Sequence, residues 1–320
     1  MLKDSLVWDN HGCMPLRPND YSFLPQLQQY RDSGVDVVSL NVGFDAVPFV
    51  QTFQVIADFR YWLAQQENYV LVETVQDIER AVADDKLAVT FDVEGAACIG
   101  DQISLVSMFY DLGVRWMLMA YNQNNLVGGG CQDDDQGLTE FGRDVLAEMK
   151  RVGMVACCSH TGERTTMDVM EHADNPVIFS HSNPLGVHQH ERNISDRVIE
   201  ACAETGGVVC LNGVGLFLGE NDARPQTFAD HVDYLLEKVG DEHIGVGLDY
   251  VFDMDELNAY VAEHPDVFPP EKGYRAGLDF MGPDKLSEVV QIFGERGYSD
   301  TTISKIMGQN LVRVAKEVWA

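Results

Sequence analysis

Side chains that can bind a metal or move a proton follow short apolar runs at several points in the chain. The segments are VWDNHGC, TFDVEG, CCSH, IFSH and VGLDY. Because the carboxyl ends of barrel strands open on one face, we expect these side chains to converge. Imidazoles and carboxylates on a shared rim can hold a divalent metal, and a spare carboxylate can act as a base. The pattern therefore predicts metal-assisted hydrolysis.

The spacing of these residues predicts how they lie relative to one another. His11 and Cys13 are two residues apart, so they point to the same side of a strand if the strand extends that far. His160 and His181 are 21 residues apart, about one strand-helix unit, which predicts neighbouring strand ends roughly 5 Å apart. Glu94 follows the apolar run LAVTFDV and supplies a carboxylate to the same rim.

Each of these residues also has a purely structural interpretation. A single histidine at a strand end is more often a hydrogen-bonded structural residue than a ligand. Glu94 could form a salt bridge or cap a helix, since an unpaired buried carboxylate is costly. Asp249, the candidate base in GLDY, could cap the segment that follows it. Convergence of several strand ends favours the metal site over these alternatives.

Short β-branched runs alternate with longer amphipathic stretches, which is typical of a parallel sheet. The predicted strands cover residues 5–8, 35–42, 87–93, 114–120, 154–158, 177–179, 207–211 and 243–248, with a possible extra strand at 69–72. The predicted helices cover residues 48–66, 103–112, 139–151, 195–203 and 227–239, the fourth with Ser195 as its N-cap. Eight strands close a barrel, so we expect one α/β domain over residues 1–320 with a (β/α)8 TIM-type fold.

Two longer segments interrupt this alternation, at residues 122–138 and 250–285. Both follow predicted strands, where barrel enzymes keep their working loops. The tail, residues 284–320, is predicted to form two closing helices.

The composition excludes several classes of partner. The chain of 320 residues has 22 Lys plus Arg against 51 Asp plus Glu, a formal charge of −29, which disfavours nucleic acid. No stretch approaches the roughly 18 apolar residues of a membrane helix, and the first ten residues lack the apolar core of a secretory signal. Seven cysteines, an odd number, suit reduced thiols better than a disulfide framework. We therefore expect a cytoplasmic protein with no membrane partner.

The order and spacing of these motifs resemble the membrane dipeptidase (renal dipeptidase) family of metallopeptidases, which is related in fold to the amidohydrolases. The motifs are the His11 segment, VEG at Glu94, SH at His160, PVIFSHSN at His181, ERNISD at Arg192 and GVGLDYVFD at Asp249. The resemblance covers nearly the whole chain, and it is specific because of the combination rather than any single motif.

The resemblance implies an amidohydrolase-like (β/α)8 barrel that holds a pair of zinc ions bridged by Glu94. It implies that one ion is also bound by His160 and His181. The other ion would be bound by His11 and its i+2 neighbour.

The activity implied by the resemblance is hydrolysis of dipeptides by a metal-activated water. Asp249 would take the proton of the water and pass it to the leaving amine, and Arg192 would pair with a substrate carboxylate. A metal-dependent hydrolase of another small amide, such as an N-acyl amino acid, is an alternative. A catalytically silent metal-binding barrel is a further alternative. We expect a small-molecule substrate with a free carboxylate, and a homodimer as the common default.

Three positions depart from the family pattern. The first motif usually reads His-x-Asp, whereas here Cys13 is either a softer thiolate ligand or a buried thiol beside a single-metal site. Tyr121 stands where the renal enzyme has a substrate-contacting histidine, and its phenol could donate a hydrogen bond to a developing oxyanion. Cys157, three residues before His160, replaces an aspartate of many relatives and indicates different support for that ligand. Two zinc ions per chain are expected, or one if Cys13 is not a ligand.

Overall fold

A closed parallel sheet forms the centre of the computed structural model, which describes residues 5–319. The strands are β1 (Trp8–Cys13), β2 (Val37–Phe44), β3 (Tyr69–Leu71), β4 (Leu87–Glu94), β5 (Val114–Leu118), β6 (Val155–Cys157), β7 (Ile178–Phe179), β8 (Val208–Leu211), β9 (Ile244–Val246) and β10 (Tyr250–Val251). The barrel order is β1-β2-β4-β5-β6-β7-β8-β9, and β9 pairs with β1 through Val246 and Asp9. This confirms the predicted (β/α)8 barrel; β3 joins β4, and β10 joins β1, as additions to it.

Helices connect the strands around the outside of the barrel. They are α1 (Gln28–Asp32), α2 (Phe49–Leu63), α3 (Val75–Ala83), α4 (Ser104–Asp111), α5 (Glu140–Val152), α6 (Glu163–His172), α7 (Asp196–Glu204), α8 (Gly215–Leu218), α9 (Pro225–Val239), α10 (Met254–Glu263), α11 (Leu286–Glu295), α12 (Asp300–Ser304) and α13 (Asn310–Val318). Within residues 5–319, none of the helices combines the length and the apolar character needed to span a bilayer.

The first strand differs from its predicted position. The prediction over residues 5–8 was wrong, because β1 begins at Trp8 and continues to Cys13. The polar residues Asp9, Asn10 and His11 are fully buried, so the strand lacks the apolar pattern that marks the others. Their burial is possible because polar partners are available inside the barrel; Asp9, for example, accepts a hydrogen bond from the backbone of Leu248 at 2.8 Å.

The segment 250–285 was predicted to be a loop, and this is wrong in part because it contains β10 and α10. Its prolines indicated irregular backbone, but α10 ends at Glu263, before the first of them. Asp253 caps this helix by accepting a hydrogen bond from the backbone of Glu256 at 3.0 Å. The helix therefore fits between the strand end and the proline-rich part of the segment.

Ser195 is the N-cap residue of α7, as predicted, but its hydroxyl donates to Glu163 Oε2 at 3.1 Å and makes no hydrogen bond to the backbone of the helix. The prediction of two closing helices was wrong. The tail forms α11, α12 and α13 rather than two helices, with a π-turn at Lys305–Gln309 between the last two; residue 320 lies outside the described part of the chain. At this turn a Cβ on Gly308 would lie 2.6 Å from the carbonyl oxygen of Leu6, so the close approach requires glycine.

The tail closes the barrel at the end opposite the predicted site. Residues at or near the starts of the barrel strands, including Trp8, Val37 and Val208, form one buried cluster with Leu311 and Val314 of α13. The amino-terminal end of the barrel is thereby sealed with apolar side chains. The carboxyl-terminal end is covered by loops and lined by polar side chains.

Candidate metal centre

The structure brings the predicted metal ligands together at the carboxyl-terminal end of the barrel. His11 and Cys13 lie on β1, Glu94 ends β4, and His160 and His181 follow β6 and β7. Two groups of three residues each bring their ligand atoms within 4.8 Å of one another, and both groups include His11. The members of the groups are His11, Glu94 and His181 in the first, and His11, Cys13 and Asp249 in the second.

Glu94 lies at the centre of the histidines. Its Oε1 atom is 3.3 Å from His11 Nε2, 3.4 Å from His160 Nε2 and 3.2 Å from His181 Nε2. The Nε2 atoms of His160 and His181 are 2.9 Å apart, and the ring centroids are separated by 5.0 Å. The prediction that these two histidines end neighbouring strands about 5 Å apart is confirmed.

The hydrogen bonds of two histidines determine which ring nitrogen carries the proton. His11 Nδ1 faces Asp92 Oδ2 at 3.2 Å, and His160 Nδ1 faces Asn122 Oδ1 at 2.7 Å. Both partners are acceptors, so each Nδ1 donates, and in the neutral ring Nε2 keeps its lone pair. Both lone pairs therefore point toward Glu94 Oε1. Outer partners that hold a ring in this way are characteristic of metal-binding histidines.

His181 is supported differently. Its Nδ1 atom lies 2.8 Å from Ser180 Oγ, and Cys157 Sγ donates to the same hydroxyl oxygen at 3.2 Å. The Cys157 thiol therefore reaches His181 through Ser180. His160 takes its support from Asn122, which explains how this chain manages without an aspartate at position 157.

Electrostatics favour neutral imidazoles at His160 and His181 and an ionised Glu94. Burial and the charge of Arg192 lower the pKa of His160 to about 3, and burial together with the charge of His11 lowers the pKa of His181 well below its usual value. Burial opposes ionisation of Glu94, but attraction to the charge of His11, when its ring is protonated, holds the pKa of Glu94 well below the usual value. A metal needs these protonation states in its ligands.

The second group surrounds the thiol of Cys13. Cys13 Sγ is 3.5 Å from His11 Nε2 and donates to Asp249 Oδ1 at 3.2 Å, which confirms the predicted shared orientation of His11 and Cys13. Burial and the neighbouring Asp249 raise the pKa of the thiol well above its usual value. The thiol therefore keeps its proton unless a cation balances the charge. Asn212 Nδ2 donates to Asp249 Oδ2 at 2.9 Å and orients that carboxylate.

Arg192 and Tyr121 border the same centre. Arg192 is 2% exposed, and its Nη2 atom donates to the carbonyl oxygen of His181 at 3.2 Å. Among the described residues no hydrogen-bond partner is found for the buried Arg192 Nε atom, although the guanidinium lies over the ring of Phe217 at 5.3 Å. The ring of Tyr121 stacks on His160 with centroids 4.0 Å apart.

Several residues of the site have strained backbone. Asn122, His160 and Asp249 all have positive φ, at 58°, 62° and 57°. Non-glycine residues rarely adopt this conformation, and where they do, the surrounding structure must hold them there. Here the conformation turns the chain sharply at the strand ends, so that the side chains face one another.

The donor set fits a divalent metal such as zinc. Buried carboxylates and a thiol that approach one another are costly unless they are paired or bind a metal. Imidazole nitrogen, carboxylate oxygen and thiolate sulfur are the three donor types that zinc accepts in proteins. The two groups share His11, so they form one continuous centre rather than two independent sites.

We expect His160→Ala and His181→Ala to lose one and the same metal equivalent, because their Nε2 atoms are 2.9 Å apart and both face Glu94. Elemental analysis of the purified variants measures this. His172→Ala is the control, since His172 is exposed on α6. Retention of both ions in either site variant would show that the two histidines do not share a metal.

Substitution of Cys13 tests whether the thiol is a ligand. We expect Cys13→Ser to lower zinc affinity, because a neutral hydroxyl is a far poorer ligand than a thiolate, and Cys13→Asp to keep two metals and accept Mn²⁺ or Co²⁺ better. Competition with a chelator measures the affinities. Cys202→Ser is the matched control, because that buried thiol contacts the carbonyl oxygen of Val177 outside the site. Unchanged zinc affinity in Cys13→Ser would remove Cys13 from the coordination shell.

Sequence reasoning missed the supporting residues Asp92, Asn122, Ser180 and Asn212. Asp92 could have been identified from the sequence, because it lies two residues before Glu94 on the same strand and so points to the same side. Ser180 directly precedes His181, and Asn212 directly follows β8. Strand-end polar residues next to the ligands are thus the signal that could have identified them.

The fold and the polar side chains at its carboxyl-terminal end define an amidohydrolase-like barrel. An amidohydrolase from Pseudomonas aeruginosa superposes with a TM-score of 0.87 at 27% identity, covering 99% of this chain and 97% of that chain. A metallopeptidase from Rhodobacter sphaeroides, liganded with a phosphinate mimic of L-Ala-D-Ala, has the same fold, with a TM-score of 0.79 at 19% identity, covering 99% of this chain and 100% of that chain.

Residues 23–262 match the family described as membrane dipeptidase (Peptidase family M19), and the chain belongs to that family. Dipeptidase tcpJ of Claviceps purpurea is 28% identical over 319 residues, which cover 98% of this chain and 66% of that dipeptidase. Two uncharacterized dipeptidases of Schizosaccharomyces pombe are matched over 51% and 53% of their length. The chain therefore spans about half to two thirds of these curated relatives. The family predicted from the sequence is confirmed.

Proposed function

We propose that the protein is a zinc-dependent dipeptidase. The observation that carries the proposal is the convergence of three histidine Nε2 atoms on Glu94 Oε1, at 3.2 to 3.4 Å. Membership of the membrane dipeptidase family supports the peptide substrate.

The candidate ligands of the zinc pair are His11, Cys13, Glu94, His160 and His181. Zinc bound there supplies Lewis acidity toward a carbonyl oxygen and toward water. Glu94 contributes the negative charge between the two positions, because its Oε1 atom already contacts histidines of both.

Asp249 is the proposed proton carrier. Its Oδ1 atom is 3.6 Å from His11 Nε2, and Asn212 fixes the other oxygen at 2.9 Å. Burial raises the pKa of this carboxyl, which brings it closer to the range in which a group can both accept and return a proton. Asp249 takes the proton of the attacking water and gives it to the leaving amine.

Arg192 is the proposed partner of the substrate carboxylate. Its guanidinium is buried beside His160 and His181 and retains an unsatisfied Nε donor. A planar guanidinium can hold a carboxylate with two parallel hydrogen bonds, so a free C-terminal carboxylate in the substrate completes the site. Tyr121 stacks on His160 at the same centre and is proposed as a donor to the developing oxyanion.

Hydrolysis assays of the zinc-loaded protein test the proposal. The substrates are L-Ala-D-Ala, whose phosphinate mimic binds the Rhodobacter sphaeroides relative, L-Ala-L-Ala, and the N-acetylated forms of D- and L-alanine. We expect release of free alanine from at least one of the dipeptides. Hydrolysis of the N-acetyl amino acids alone would replace the dipeptidase by an N-acyl amino acid hydrolase, and hydrolysis of neither class would favour a silent barrel.

We also infer that the protein works in the reducing environment of the cytoplasm. All seven cysteines are free thiols, and four of the buried ones, Cys157, Cys158, Cys202 and Cys210, lie in the barrel core. Cell fractionation tests this location. A homodimer remains a prediction, and light scattering of the purified protein measures the oligomeric state.

A further inference from the structure

A cavity of about 350 Å³, called the chamber below, opens directly onto the candidate metal centre. The residues that line it include Cys13, Glu94, Tyr121, His160 and Asp249. A volume of this size is in the range of cavities that bind small ligands. A molecule that reacts at the centre therefore has access to the chamber.

The walls of this chamber are apolar. They come mainly from a hydrophobic cluster that is separate from the two clusters of the barrel, and that includes Val214, Phe217, Val261, Phe268 and Tyr274. Most of these residues belong to the segment 250–285, which thus builds an apolar cap over one side of the site. Leu257 and Tyr260 of α10 line the same space and are only partly buried.

Aromatic contacts connect the ligand histidine to this cap. Tyr121 stacks on His160 at 4.0 Å, Phe44 packs on Tyr121 at 5.1 Å, and Tyr260 packs on Phe44 at 5.8 Å. The apolar surface is therefore continuous from the metal centre to α10. A side chain attached close to the reacting carbonyl can follow it without crossing a polar gap.

Few charged side chains line the chamber, apart from those of the metal centre. Among the described residues that line it they are Arg17, Asp253 and Glu256. Arg17 Nη1 is 3.3 Å from Asp253 Oδ2 and 2.9 Å from Glu256 Oε2, so these groups already have partners. The walls therefore offer apolar contact, and the nearest charges are engaged with one another.

Arg192 lies on another side of His160. It lines a neighbouring cavity of about 480 Å³ together with Cys131, Glu163 and Glu191, whereas His160 lines both cavities. With the substrate carboxylate on Arg192, the C-terminal residue of a dipeptide lies toward this more polar cavity. The N-terminal residue, on the acyl side of the scissile bond, then lies toward the apolar chamber.

We propose that the preferred substrates are dipeptides whose N-terminal residue carries a large apolar side chain, such as leucine or phenylalanine, which fills the chamber beneath α10. This inference rests on the proposed dipeptidase function and adds the side-chain class to it. Selectivity arises because apolar surface leaves water on binding, and a charged side chain would lose its hydration against the same walls.

The test compares two series of dipeptides with the zinc-loaded full chain. The first is X-Ala with X as alanine, leucine, phenylalanine, lysine or glutamate, and the second is Ala-X with the same residues, each with L- and D-forms at the C-terminal position. We expect kcat/KM to rise at least about tenfold from Ala-Ala to Leu-Ala or Phe-Ala, with a smaller rise in the Ala-X series. Equal values across X-Ala, or a preference for lysine or glutamate at X, would overturn the inference.

Leu257→Asp tests whether the apolar wall of the chamber determines the side-chain preference. We expect it to lower the ratio of kcat/KM for Leu-Ala to that for Ala-Ala at least about tenfold, because a carboxylate then faces the apolar side chain. Met108→Asp is the matched control, since Met108 is 45% exposed on α4 outside the chamber, and its ratio should equal that of the wild type. An unchanged ratio in Leu257→Asp would overturn the inference. Failure to hydrolyse every dipeptide would instead refute the proposed function.

Discussion

Replacing Glu94 by glutamine should abolish metal-dependent hydrolysis. The amide has the shape of the carboxylate, but it lacks the negative charge that a bound metal requires at Oε1, the atom on which the three histidines converge. We expect kcat/KM to fall by more than the roughly 100-fold that loss of an outer partner of a metal ligand costs. Metal content should fall in the same variant, which elemental analysis measures beside the hydrolysis rate.

Glu79→Gln is the control for this experiment, because Glu79 is an exposed residue of α3. Near wild-type turnover with a full complement of metal in Glu94→Gln would contradict the shared site. Loss of activity with unchanged metal content would show that Glu94 contributes to the reaction but is not a metal ligand.

The second large effect is expected for Asp249→Asn. The amide cannot accept a proton from water, so we expect kcat to fall by about 10² to 10⁴, the usual contribution of a general base. The metal bound through Glu94, His160 and His181 should remain, since Asp249 is not among these ligands. Asp279→Asn, an exposed carboxylate that accepts a hydrogen bond from Asn221, is the control. Turnover within tenfold of the wild type would exclude Asp249 as the proton carrier.

The sequence allowed the barrel and the ligand positions to be predicted for a simple reason. Parallel strands end on one face, so a polar residue after each apolar run marks that face. The spacing between His160 and His181 matched one strand-helix unit, and the rings do lie at neighbouring strand ends. Glu94 was singled out in the same way, because it ends a mostly apolar strand.

Other parts of the site depend on tertiary contacts that spacing does not contain. Asn122 supports His160 from 38 residues away along the chain, and Asn212 orients Asp249 across two strand ends. Strand β1 was misplaced because Asp9, Asn10 and His11 are buried polar residues, which an apolar pattern cannot reveal. A polar residue near a strand end can be noticed in the sequence, but its partner becomes predictable only once the opposing side chains are known.

The apolar chamber shows the same limit. Its walls combine Phe44 at the end of β2, Val214 after β8 and α10 from the segment 250–285, and these are far apart in the sequence. Helix α10 was not predicted, because the prolines of this segment indicated a loop. Substrate selectivity, as inferred from this chamber, could therefore be argued from the structure but not from the motifs.

Titration of metal-free protein with Zn²⁺, followed by both bound metal and dipeptide hydrolysis, tests the central claim most directly. We expect no hydrolysis without metal and activity that rises in proportion to bound zinc until the site is full, at two ions per chain if Cys13 is a ligand and one if it is not. Hydrolysis at full rate by the metal-free protein would contradict a zinc-dependent dipeptidase, as would stoichiometric zinc binding that leaves every dipeptide intact.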